Sequence, residues 1–167
     1  MRIRLAASAL AGSVLVGPAA AVHSDDCAVI FKAFEAMTQV PAYASVVQLA
    51  TGITLRSVVI GEVVYAHSGE KWVKITMQPG GRLDMLKAFA PSPDSLSDCA
   101  RVGTETVDGR VMTIYTYVPP APQGLEKIHE AGGPQKLWIG ADGLPYRTTT
   151  DTIDMGISYA GITPPIP

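Results

Sequence analysis

Residues 132–150 read GGPQKLWIGADGLPYRTTT. Two apolar-aromatic runs, KLWIG (136–140) and LPYRTTT (144–150), flank a short polar turn, Ala141-Asp142-Gly143. Aromatic and β-branched residues suit strands, and glycine suits the left-handed position of a three-residue hairpin loop. Pro145 falls near the start of the second run, where its missing N–H does least harm to a ladder. The stretch is therefore read as a β-hairpin, with Trp138 and Leu144-Pro145 at a point where it bends its sheet.

Upstream lies a second hairpin, CARVGTETVDGRVMTIYTYV (99–118). Asp108-Gly109 is a favoured two-residue turn because both of its central positions take positive φ. Alternation then places Val111, Thr113, Tyr115 and Tyr117 on one face and Met112, Ile114, Thr116 and Val118 on the other. Between the hairpins, PPAPQG (119–124) reads as a surface loop, and LEKIHEAGG (125–133) is too short a pattern to decide between a helical turn and an irregular loop. Downstream, ISYAGI (157–162) reads as a last strand and TPPIP (163–167) as an extended tail.

Toward the N-terminus three runs rich in β-branched residues follow one another: YASVVQLA (43–50), TLRSVVIGEVVYAHSG (54–69) and EKWVKITMQ (70–78). The last alternates cleanly, with Trp72, Lys74 and Thr76 on one face and Val73, Ile75 and Met77 on the other. Before them, SDDCAVIFKAFEAMTQVP (24–41) carries Cys27, Ile30, Phe31, Phe34 and Met37 at helical spacing. Ser24, Asp25 or Asp26 can cap that helix, and Pro41 stops it. A shorter helix is expected over Leu83, Leu86 and Phe89, closed by Pro91 and Pro93. The expected architecture is α+β: a curved antiparallel sheet of about seven or eight strands, an unclosed half-barrel, wrapped around an N-terminal helix and a short lid helix.

Compartment is legible at the start of the chain. Arg2 and Arg4, the apolar stretch LAASALAGSVLVGPAA and the small residues Ala19-Ala20-Ala21 have the form of a secretory signal peptide over residues 1–21. An uncleaved anchor is the competing reading, but the apolar core falls short of the roughly 20 residues a spanning helix needs. Residues 22–167 then form a single domain, soluble and exported to the periplasm or beyond. Removing Arg2 and Arg4 takes the formal charge from −2 to −4. No basic cluster remains to neutralise phosphates, which argues against nucleic acid as a partner. Two cysteines, Cys27 and Cys99, in an oxidising compartment favour a disulfide over two separate buried thiols. If it forms, their Cα atoms should lie roughly 4.4–6.8 Å apart. Neither cysteine shows ligand spacing with His23, His67 or His129, so no metal site is expected.

Catalytic signatures do not surface. There is no G-x-S-x-G elbow, H-E-x-x-H pair, phosphate loop or C-x-x-C. His67 and His129 sit in polar stretches and read as ordinary surface histidines, although a hydrolase using one of them is a third reading. Asp151 and Asp154 read as loop residues. The chain is expected not to be an enzyme and to need no cofactor. Instead it has apolar strand positions on both faces: Val58, Ile60 and Val64 alternate with Val59 and Val63. Such a sheet must cover its second face or bind with it.

The hairpins RVGTETVDGRVMTIYTYV and KLWIGADGLPYRTTT, set between an N-terminal helix and a proline-ending terminal strand, resemble the LolA-like family of periplasmic lipoprotein carriers and its lipid-binding LppX-type relatives. Val102–Tyr115 and Leu137–Arg147 carry that resemblance. It implies an unclosed barrel over an apolar cavity that takes up acyl chains, and hence a protein that binds a hydrophobic or amphiphilic ligand. Ile60, Val64, Trp72, Ile75, Met85, Leu86, Phe89, Tyr115 and Trp138 are the candidate walls, with ordinary core packing as the alternative for each. The chain departs from the carriers in its shorter length, its expected disulfide and its reduced lid. Relatives of this fold also bind an envelope protein partner, so an envelope protein-binding or regulatory module, engaged by strand addition at a sheet edge, is the alternative function.

Overall fold

The computed structural model describes residues 25–89, 95–119 and 133–167. The leader over 1–21, the stops at Pro91 and Pro93, the stretches after Pro119 and His129 lie outside the described residues.

Helix α1 spans Asp25–Gln39, and strands β1 (Ala42–Leu49), β2 (Thr54–Ile60), β3 (Val63–Ser68) and β4 (Lys71–Thr76) follow as a meander. Helix α2 (Gly81–Phe89) comes next. Then β5 (Ser97–Val107), β6 (Arg110–Val118), β7 (Gln135–Gly140), β8 (Pro145–Thr149) and β9 (Ile153–Ser158) form a second meander. All nine strands belong to one antiparallel sheet in the order β4-β3-β2-β1-β9-β8-β7-β6-β5. Its edges, β4 and β5, do not pair with each other, so the half-barrel is unclosed. Because β1 pairs with β9, the chain must travel from the β4 edge to the β5 edge, and α2 lies on that route.

The strand count exceeds the expected seven or eight because the run 54–69 is two strands. Gly61, at φ 54°, turns the chain between Ile60 and Val63. Gly-Glu flanked by β-branched residues on both sides hides that turn from a reading by composition. The last strand also begins earlier than ISYAGI, at Ile153.

The cysteines do form a disulfide, with Cα atoms 5.2 Å apart across 72 positions. Cys27 belongs to the buried stripe of α1 with Ile30 and Ala33. Cys99 reaches it because β5 is irregular: its register with β6 shifts between Ser97 and Ala100, and Asp98 takes φ 52°. Such a bulge re-aims a side chain. Beside the disulfide, the Asp26 carboxylate accepts the Arg101 backbone N–H at 3.0 Å. The start of α1 is thus held to β5 twice.

Two apolar clusters fill the concave side. In the first, Cys27, Ile30 and Ala33 pack on Tyr115, Tyr117, Leu137 and Ile139, with Phe31 and Phe34 alongside. Phe34 meets Tyr117 edge to face at 6.3 Å, and the Tyr117 hydroxyl donates to Gln135 at 2.9 Å. The second cluster joins Tyr43, Val59 and Ile157 to Met37 and Val40 near the end of α1 and to Leu86 of α2.

Candidate ligand site

Register fixes which strand residues share the concave face. Tyr43 pairs with Val59, Val59 with Val64, and Val64 with Ile75. The next row on that face runs Ile157, Ser45, Ser57, Ala66, Val73, and the next Met155, Val47, Leu55. The middle row holds three small residues between two rows of large ones. This strip, with Ser45, Ser57 and Ala66 between Tyr43, Val59, Val64 and Ile75 on one side and Met155, Val47 and Leu55 on the other, is the candidate trough. The two serines tolerate the apolar setting because their hydroxyls bond each other at 2.8 Å.

The helices cover this face unevenly. Val59 is 2% exposed, but Leu55, Val73, Ile75 and Ile153 are 38%, 46%, 49% and 38% exposed. Four large apolar side chains on the helix side of a sheet therefore meet solvent at the β2–β4 end and the adjoining tip of β9. Patches of this kind usually bind something.

Of the nine candidate walls, the structure brings Val64 and Leu86 together in the second cluster and places Tyr115 in the first. Ile75 stands beside Val64 on the trough wall. Met85 is half-buried on α2; Phe89 ends that helix. Ile60, Trp72 and Trp138 lie on the opposite, convex face, since they alternate with Val59, Val73 and Leu137. Alternation forbids Trp72 and Ile75 from facing one cavity. Sequence reading missed Ser45, Ser57, Ala66, Leu55 and Val73; small residues at alternate positions of adjacent strands carry no signal until the strands are in register.

Trp138 has another employment. Its indole N–H donates to Glu105 at 2.7 Å, and the Arg147 guanidinium stacks 4.9 Å from its ring centroid. Arg147 in turn makes a bidentate pair with Asp154, at 2.9 and 2.6 Å. This convex-side ladder crosses from β5 to β9. Asp154 is therefore a strand residue with a partner, not a loop carboxylate. The Arg147 hydrogen bond holds its carboxyl below the usual range, against a smaller opposing effect of burial. His67 packs edge to face on Trp72 at 5.0 Å on the same convex side. Among the described residues, no three His, Cys, Asp or Glu side chains gather as a metal site would require.

The fold that these elements define is the half-barrel seen in LppX and LprF. Solved structures that share it include LprF, LppX and MucB. LprF from Mycobacterium bovis is 14% identical with a TM-score of 0.52, and the match covers 86% of this chain and 97% of that one. The Mycobacterium tuberculosis lipoprotein LppX is also 14% identical at a TM-score of 0.52, over 83% and 97% of the two chains. MucB, in the Pseudomonas aeruginosa MucA/MucB complex, is 14% identical at 0.54, over 85% of this chain and 59% of its own. No family model matches the sequence, and no curated protein matches it significantly. Among the described residues no helix is long and apolar enough to cross a membrane.

Proposed function

We infer that this protein is an exported binding protein, not a catalyst, and that it takes up a hydrophobic or amphiphilic ligand in the trough on the concave face of its sheet. The observation that carries this reading is the uncovered apolar wall of Leu55, Val73 and Ile75 beside a floor of small residues. Burying such surface is favourable by about 25 cal/mol per Å², so an acyl chain laid in the trough gains affinity on both sides. The half-barrel shared with LppX and LprF supports the reading, and the leader-like residues 1–21 support a periplasmic or secreted location.

The test fills the trough. Ser57→Leu should abolish retention of radiolabelled lipid by the purified protein while leaving its circular dichroism spectrum intact. Lipid retained equally by wild type and variant would overturn the trough as the site.

A second reading rests on the β4 edge. Lys71–Thr76 has one unpaired side, and strand addition there would dock a polypeptide. The likeness to MucB, whose structure was solved in complex with MucA, supports this reading. Purification from the native envelope separates the two: a lipid in the solvent extract supports the carrier, a stoichiometric polypeptide the module.

A further inference from the structure

Among the described residues Arg82, in the first turn of α2, is the only buried charged side chain, at 9% exposure. The contacts of its guanidinium among the described residues are with neutral groups. Nη2 donates to the Val40 carbonyl just past α1, and the guanidinium carbon lies 5.7 Å from the Tyr43 ring centroid. Nε is buried and meets no acceptor among the described residues. Glu62 is the acidic group close by, but its carboxylate accepts the backbone N–H groups of Gly80 and Arg82, at 3.3 and 3.0 Å, and so caps α2. It makes no ion pair with the guanidinium; the ion pair among the described residues joins Arg147 to Asp154.

A buried cation without a counter-charge is costly, and an orphaned buried N–H adds to the cost. The planar guanidinium fork suits a carboxylate or a phosphate, which two of its N–H groups can grip side by side. Position matters as much as chemistry. Tyr43, under the guanidinium, begins the wall that continues through Val59 and Val64 to Ile75 at the open β4 edge. Three strand spacings separate its ends, about 14 Å. A charge receptor thus stands at one end of an apolar trough whose other end is open.

We propose that the ligand of the trough is an anionic amphiphile, whose carboxylate or phosphate is held by Arg82 and whose tail runs across Ser45, Ser57 and Ala66 toward β4. This rests on the trough reading above and adds the class of head group and its receptor.

Equilibrium dialysis of the purified protein against tritiated oleate, tritiated oleyl alcohol and inorganic phosphate tests it. Oleate should bind roughly ten- to a hundredfold more tightly than the alcohol, the span expected for a charged hydrogen bond in a buried site. Arg82→Gln should erase that advantage, and Arg82→Lys should retain part of it. If Arg82→Gln does not fold, as its melting curve will show, the wild-type contrast and Arg82→Lys still decide. Equal binding of oleate and alcohol to the wild type overturns the anionic head group and leaves the trough standing. An oleate advantage that survives in Arg82→Gln overturns Arg82 as its receptor, leaving it a tie between α2 and α1. Phosphate binding as tightly as oleate identifies a site for the free anion and overturns the amphiphile. Failure of both oleate and alcohol to bind overturns the trough reading itself.

Discussion

At Gly140 a Cβ would stand 2.6 Å from a ring carbon of Tyr146 and 2.7 Å from an Asp142 carboxylate oxygen. That ring has little freedom to retreat, because its hydroxyl donates to Asp142 and accepts from Arg110, each at 2.7 Å. Gly140→Ala should therefore cost about 1–3 kcal/mol, as overpacking does, with an unchanged slope in urea denaturation. The Arg147–Asp154 pair is a weaker contributor, since both side chains are more than a third exposed, at 36% and 42%. Asp154→Asn should cost below about 1 kcal/mol. Because the Arg147 hydrogen bond depresses the Asp154 pKa in the folded state, the contribution is fully present above the ordinary carboxylate pKa and vanishes as pH falls through the depressed one. Denaturation curves should show a constant deficit for the variant from about pH 5 to 8 that shrinks below about pH 4. A deficit that grows on acidification would contradict the assignment.

Between elements, the disulfide and the Asp26–Arg101 contact do what the packing of α1 alone leaves undone: they fix where along β5 the helix begins. Closing so long a loop constrains the unfolded chain, by about 2–4 kcal/mol in most measured cases. Cys27→Ala should still fold, since Ile30 and Ala33 stay buried against Tyr115, Tyr117 and Leu137, but its melting temperature should drop by roughly 5–15 degrees. Thiol titration of the denatured, unreduced wild type should find no reactive cysteine. At the other end of α1, Arg82 ties α2 to the Val40 carbonyl, so the shorter helix rests on one cluster and a single buried cation.

Over the whole molecule, coverage is lopsided. Helix α1 lies against β5, β6 and β8, while β3 and β4 extend beyond it. Among the described elements this leaves the small-residue strip half roofed, as the proposed uptake of a chain-like ligand from one side requires. A double variant, Val73→Lys with Ile75→Lys, should keep the fold, because both residues are already about half exposed. It should weaken lipid retention at least tenfold, since two ammonium groups would stand where the tail leaves the trough. Retention at wild-type levels would place the ligand elsewhere.

Strand periodicity, the two-residue turn at Asp108-Gly109, where φ is 52° and 76°, the hairpin that carries Trp138 and the disulfide partners were all legible in the sequence. Each depends on neighbours a few residues apart or, for the cysteines, on having only one possible mate. The faces were decided only in three dimensions. Trp138 sits in one of the two hairpins that carry the family resemblance, yet it faces away from the trough and braces the convex ladder with Glu105 and Arg147. The trough floor of Ser45, Ser57 and Ala66, and the meeting of Arg82 with Tyr43, are created by pairing β1 with β2, β2 with β3, and α2 with the end of α1. Strand alternation says that two residues differ in face; which face meets the helices is set by which pairing buries more apolar surface, and that sum runs over the whole sheet.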